Sequence, residues 1–432
     1  MREFFDPVFW KGSLAQLPSA GYRWTAAHLL YTAIALALSY EPTQKDRFQA
    51  ARQFAAAFFD KRRRPGKTYT GFTDAWQRQG LAVGVLARRR LQEVLLPHFR
   101  GWASQAYALD GSRVLLPHSA ANAAAYGETR IKNRTESAPQ LLVVAAVQVS
   151  SQALYDWELA GGNGSEPALA ARIIQRLPPG ALVIKDSGTV GYKWLRDLLA
   201  GGRHILMRVA GNFKVWAEDV GQVRRRGGKV WVWPKDGKAQ PPLKLRLIAV
   251  RVTGRRKGWR GQRRKAQVSY IYLLTDLSRK QLSDREAGRL YRGRWGANEI
   301  GFRKWKQTLE ARKLTARVPE LAELECFYSL LALQVLQALQ LVASRGRCAP
   351  GSVAQVWRVW REAVERLIQR RSTAGFAGRL KRCVLDSYKR RRPKQRRRPP
   401  RDKSPVSLGP PQIRRLTKAT KRLWRERFQW AS

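Results

Sequence analysis

The order of apolar segments between residues 103 and 211 constrains the fold of this chain more than any other feature. SQAYALDGSRVLLP reads as a strand, and QLLVVAAVQVSSQALYDWEL reads as two more. Their continuous apolar character suits strands covered on both faces. Residues 166–177 have helical spacing, ALVIKDSG is a short buried strand, residues 192–200 form another helix, and HILMRVA is a fifth strand. Three strands, then helix, strand, helix and strand describe an α/β fold with a mixed sheet and an antiparallel beginning.

The flanking segments divide the rest. Residues 1–102 read as a helical N-terminal DNA-binding region, in which KRRRPGKTYTG is either a loop that holds DNA backbone ahead of a helix-turn-helix or a plain basic connector. The core occupies 103–211 and resumes at 277–345. Between them, 212–276 is β-rich (KVWVWP, LKLRLIAVRV, QVSYIYLLTD) and is expected to form an inserted sheet. Leu330, Leu333, Leu336 and Leu339 make the packing stripe of a core helix over 321–342. Residues 346–432 are a basic helical or disordered C-terminal region. KRRRPKQRRRPPRDKSP cannot fold compactly and reads as a nonspecific DNA tether, and the final piece, 413–430, is amphipathic.

Charge narrows the function. Lys plus Arg number 83 against 31 Asp plus Glu, a formal net charge of +52 over 432 residues. No fold needs that self-repulsion, so a polyanion is the expected partner, nucleic acid ahead of membrane. Cys326, Cys348 and Cys383 form no CxxC motif, and His28, His98, His118 and His204 show no ligand spacing. A structural zinc is not expected. MREFFDPVFWKG has neither the apolar core nor the cleavage site of a secretory signal, so a cytoplasmic, nucleoid-associated protein is expected.

Three acids carry the chemistry. Asp110 in LDGS and Asp186 in IKDSG end predicted strands, and Glu299 lies on a predicted helix, YRGRWGANEIGFRKWKQ. Phosphodiester chemistry with divalent ions needs hard oxygen ligands that reach one point from different elements. Each signal has a plainer reading. Asp-Gly is a hairpin turn signal, Asp186 can cap the next helix, and Glu299 can pair with Arg303 one turn on.

LDGSRVLLP, VIKDSGTVGYKWL and the 291–307 helix, in that order, resemble the DDE transposases of bacterial insertion sequences. The narrower likeness is to the insertion-sequence-four type, which has a ribonuclease-H-like catalytic core and a β-rich insertion before the Glu. The resemblance covers about residues 103–340. It implies that Asp110, Asp186 and Glu299 are catalytic and hold two Mg²⁺ ions, with Mn²⁺ able to substitute. It implies that Tyr291, Arg294 and Lys306 contact phosphates, and Arg and Lys are the natural donors for that role. Its partners would be double-stranded DNA, at the inverted-repeat ends and the target, with a homodimer on DNA.

One departure affects the helix. Four residues separate Arg294 from Glu299 where the family has three, while Glu299 to Lys306 keeps the family spacing. In an unbroken helix Tyr291 and Arg294 turn about 100° off the Glu299 face, and Arg292 and Trp295 take their places beside Arg303 and Lys306. A one-residue π-bulge, eased by Gly293 and Gly296, would realign them and is the expected solution. A third register puts Asn298 in the Glu position. Lesser candidates for DNA contact are Glu128, Arg130, Lys132 and Arg134, and for base stacking Trp231, Trp233 and Trp259. The rival functions are an inactive transposase-derived DNA-binding protein and a metal-dependent nuclease without strand transfer.

Overall fold

The structure, a computed structural model, describes residues 4–6, 9–10, 23–59, 64–99, 102–130, 137–186, 191–234, 240–254, 267–311, 314–346, 351–384 and 410–428. Helices α1 (Ala26–Leu38), α2 (Gln44–Ala56) and α3 (Tyr69–Leu95) come first. Then follow β1 (Ala106–Leu115), α4 (Ala120–Tyr126), β2 (Thr129–Arg130), β3 (Ser137–Ala138), β4 (Gln140–Gln148) and β5 (Leu154–Gly161). The α/β alternation runs through α5 (Glu166–Arg176), β6 (Leu182–Lys185), α6 (Tyr192–Ala200) and β7 (His204–Val209). Next are β8 (Lys214–Ala217), α7 (Val220–Arg226), β9 (Gly228–Val232), β10 (Leu243–Gly254) and β11 (Gln267–Thr275). The chain continues with α8 (Asp284–Arg303), α9 (Pro319–Ala343), α10 (Val353–Ile368), α11 (Phe376–Lys381), β12 (Gln412–Arg415) and α12 (Lys418–Phe428). This is a mixed α/β protein, as the strand and helix order implied.

Two compact units divide the chain. The first holds residues 1–104, 111–173 and 296–387, and the second holds 105–110, 174–295 and 388–432. In the first, Thr25 and His28 form a reciprocal cap that starts α1: the Thr25 hydroxyl accepts from the His28 amide, and the His28 ring accepts from the Thr25 amide. Helix α3 is one 27-residue helix. It packs closely on α9, since a Cβ at Gly84 would lie 2.7 Å from the Phe327 ring. Helix α9 is long and apolar enough to cross a bilayer, yet Leu330, Leu333, Leu336 and Leu339 are all buried in protein. The leucine stripe is core.

Strand β5 ends the sheet, and an exposed strand edge would be a template for aggregation. The two helices cover it with polar side chains. Gln334 donates to the Leu154 and Tyr155 carbonyls, Gln337 accepts from the Leu154 amide, and Gln92 donates to Tyr155. Arg88 of α3 donates to the Trp157 carbonyl at 2.7 Å and pairs with the fully buried Asp156 at 3.0 Å. Its guanidinium also stacks on Trp157 and Phe327.

In the second unit, β6 pairs parallel to both β1 and β7. The β-rich insertion does not make a sheet of its own. β11 pairs antiparallel with β7, so β11, β10, β9 and β8 extend the same sheet, and β12 adds to β8 in parallel. The physical reason is that β7 has a second edge to satisfy, and β11 offers continuous apolar pairing. β12 was not foreseen, because QIRR carries a single apolar side chain. Trp424 of α12 is fully buried against Trp231 and Leu416, which ties the last residues to the sheet. Cys326 and Cys383 are buried free thiols; Cys348 lies outside the described residues.

Removing one partner of the Arg88–Asp156 pair leaves the other charge buried, at a cost of about 3–5 kcal/mol. Arg88→Met and Asp156→Asn are each expected to lower the melting temperature sharply. The double substitution is expected to recover part of that loss in a double-mutant cycle followed by thermal denaturation.

Candidate active site

The parallel register of β1 and β6 sets up the site. Ala106, Tyr107 and Ala108 lie beside Leu182, Val183 and Ile184. Asp110 and Asp186 are each two residues beyond the last of these pairs. They therefore come abreast on neighbouring strands about 4.8 Å apart, Asp110 midway along β1 rather than at its end and Asp186 just past the end of β6. Gly111 follows Asp110 because a Cβ there would lie 2.7 Å from Glu166 Oε2.

Helix α8 supplies the groups that meet these carboxylates. It starts at a capping box in which the Ser283 hydroxyl accepts from the Glu286 amide and Glu286 accepts from the Ser283 amide. Tyr291 donates its hydroxyl to Asp186 Oδ1 at 3.2 Å. Arg294 lies one turn on. One guanidinium nitrogen is 3.6 Å from Asp110 Oδ2 and the other 3.3 Å from Asp186 Oδ2. The Arg294 side chain is 11% exposed, while the carboxylates of Asp110 and Asp186 are 32% and 45% exposed and reach water. Burial, aided by the neighbouring Asp186 charge, pushes the Tyr291 phenol up to about 12, so it stays a donor at working pH.

The π-turn is present but not where the spacing placed it. Helix α8 is regular through Arg303, and the π-helix spans Lys304–Thr308, closed by the Leu309 amide donating to the Lys304 carbonyl at 3.2 Å. Lying after Glu299, it does not realign Tyr291 and Arg294 with that residue. Trp305 stays fully buried and donates to Ser329 at 2.8 Å, while Lys306 turns to β1. Lys306 donates to Ser112 Oγ at 2.8 Å and to the Arg113 carbonyl. Ser112 shares the Asp110 face of β1, two residues on, a role that the Asp-Gly-Ser pattern signalled only through its last member.

The bulge expected before Glu299 is not formed, and along the unbroken helix Arg292 and Trp295 share the Glu299 face. Arg292 is exposed and donates to the Gly288 carbonyl of its own helix, and Trp295 is 49% exposed. Arg303 and Glu299 are exposed. Along a regular helix Asn298 lies within about 20° of Tyr291, and Glu299 about 80° away. Asn298 is buried, with both side-chain polar atoms lacking a partner among the described residues. Gly296 does not bend the helix; a Cβ there would press on Gln152 at 3.1 Å. Among the described residues no three His, Cys, Asp or Glu side chains gather as metal ligands. The structure brings Asp110 and Asp186 together through Arg294 and does not gather Glu299 with them.

Other candidates resolve locally. Trp231 is fully buried and Trp233 packs edge-on to Trp216 and Trp424, so both serve the core rather than a stacked base. Trp259, Lys132, Arg134 and the 389–403 run lie outside the described residues. Glu128 accepts from Ser137 and pairs with His118, which holds its carboxyl below the usual range. Sequence inspection missed Lys304, buried with Gln152 Oε1 3.0 Å away. Burial pushes its ammonium down to about 8.

Two adjacent carboxylates drawn to one cation are a hard-oxygen donor pair that suits a divalent metal. The Lys304 shift has a separate, measurable consequence. Its folded-state pKa lies below the usual 10.5, so between about pH 8 and 10.5 the unfolded chain holds the proton and the folded chain sheds it. Folding stability attributable to this group therefore rises across that window. Lys304→Met is expected to melt above the unaltered protein at pH 7, with the gap narrowing from pH 8 to pH 10. An unchanging gap would mean that Lys304 stays charged in the fold.

Comparison with known proteins gives three findings. Residues 101–335, more than half of the chain, match the family model described as the transposase DDE domain. The transposase InsG for insertion sequence element IS4 of Escherichia coli (strain K12) is 26% identical over 253 residues, 56% of this chain. The chain spans about half the length of that relative, with 53% covered. Among solved structures, the cryo-EM structure of the piggyBac transposase synaptic complex with hairpin DNA covers 84% of this chain and 77% of its own. Its TM-score is 0.42 and its identity 10%.

Proposed function

We propose, from the premise that this chain belongs to the transposase DDE-domain family, that it cuts the ends of a mobile DNA element and joins them to target DNA. The observation that carries this reading is the pair of carboxylates, Asp110 and Asp186, abreast in parallel register and bridged by one guanidinium.

Asp110 and Asp186 would hold the divalent metal, Mg²⁺ or Mn²⁺, with Glu299 as third acid and a pair of ions as the working state. A bound divalent ion supplies activation of the attacking oxygen and neutralises charge on the leaving one. Tyr291 orients Asp186 by donating to its Oδ1, leaving the other oxygen for a cation. Arg294 would bring positive charge to the phosphate beside these acids, and Lys306, bonded to Ser112 in the first unit, would offer a further cation to the DNA backbone. Water hydrolyses the phosphodiester at the element end and leaves a 3′-OH, and that hydroxyl attacks a target phosphodiester and expels a new 3′-OH. Arg292, Trp295 and Arg303, exposed on the same helix, would extend the DNA contact. The helical N-terminal residues would add to it, and the net charge of +52 supports long-range attraction to the duplex. Cutting two ends together calls for a homodimer on DNA.

The test uses duplexes that carry the inverted repeats flanking the chain's own gene, with nicks mapped to the nucleotide. Metal-dependent cleavage at the repeat boundary is expected. It should fall by about 10²-fold or more in Asp110→Ala, Asp186→Ala and Glu299→Gln, the scale of losing a group that stabilises a transition state. Asn298→Ala is expected to keep activity. Loss in the Asn298 variant with a silent Glu299 variant would move the third role to position 298. Cleavage without joined products would leave a nuclease, and tight binding without cleavage a DNA-binding relic.

A further inference from the structure

The bridging guanidinium carries an inference of its own, resting on the reading that Asp110 and Asp186 hold metal. Arg294 stands where a cation is needed: its two terminal nitrogens face Oδ2 of Asp110 and Oδ2 of Asp186, 3.6 and 3.3 Å away. Those are oxygens that a shared metal ion would use. A divalent ion bonded to both carboxylates and a guanidinium a few ångströms off would repel each other.

We propose that Arg294 is a built-in counter-cation that metal displaces, and that its release hands the guanidinium to a DNA phosphate. Apart from the metal, the two carboxylates are held together by an internal positive charge instead of repelling each other. Metal takes their oxygens, and Arg294 swings out over the Tyr291 ring, against which its Cζ already lies 5.5 Å from the centroid. Tyr291 does not leave with it. Its hydroxyl bond to Asp186 Oδ1 keeps that carboxylate oriented through the exchange. A planar five-donor fork freed beside the metal is suited to a phosphate's paired oxygens. Metal and DNA then bind with positive coupling, because each favours the conformer in which Arg294 has left the acids, and the coupling is reciprocal.

Mn²⁺ alone, titrated into the full-length chain and followed by the electron paramagnetic resonance of free Mn²⁺, tests this without any turnover. Arg294→Gln is expected to bind Mn²⁺ at least about tenfold more tightly than the unaltered chain, since the competitor is gone. Arg294→Lys, which retains a cation, is expected to stay close to the unaltered chain. Affinity in the Gln variant that is equal or weaker would overturn the proposal. A second measurement does not depend on how well that variant folds. A short duplex should tighten Mn²⁺ binding to the unaltered chain several-fold, after subtracting the effect seen with Asp186→Ala, and no tightening would equally overturn it. Mn²⁺ affinity that is unaffected by Asp110→Ala and Asp186→Ala would instead remove the metal-site reading beneath it, so the two failures are distinguishable.

Discussion

Parallel pairing of β1 with β6 is the constraint on which the candidate site depends. It fixes Ala108 beside Ile184, and the two-residue continuation of each strand then sets Asp110 and Asp186 abreast. Two like charges so close raise the energy of the fold unless something positive intervenes. Arg294 does so, and the direction of α8 follows, since Tyr291 must reach the same aspartate from one turn earlier. The acids, the phenol and the guanidinium are thus one electrostatic unit built on a sheet register.

The same economy of charge appears in the core of the first unit. Asp156 is fully buried on β5 and takes its counter-charge from Arg88, whose stem and guanidinium also pack against Trp157 and Phe327. Glutamines of α9 and α3 satisfy the neighbouring backbone of the edge strand. A sheet that ends in polar-capped β5 is closed to further strand addition. At the other end of the sheet, β12 and the buried Trp424 of α12 finish the strand order.

Much of this was legible in the residues. Strand and helix order from β1 to β7 followed from apolar runs and periodicity, because buried strands and amphipathic helices leave different spacings. The core role of the Leu330–Leu339 stripe followed likewise. Less legible was where a helix takes up an extra residue. Gly293 and Gly296 made a bulge before Glu299 attractive, but the buried Trp305 and the reach of Lys306 to β1 located it at Lys304–Thr308. The inserted strands also gave no sign of whether they pair among themselves or on β7, since pairing partners leave no mark on local pattern. Trp231 read as core first and as a stacking platform second, and Trp424 closing over it puts it in the core.

By itself the sequence determined the fold class, the cationic excess and the acids worth testing, because these rest on composition, on local periodicity and on short motifs. Only the tertiary structure decided which side chains meet. It showed that Arg294 spans Asp110 and Asp186, that Asn298 rather than Glu299 lies on the Tyr291 side of a regular helix, and that QIRR is a strand. The physical reason is that contacts between distant segments are fixed by packing and register over the whole chain, and no window of neighbouring residues contains that information.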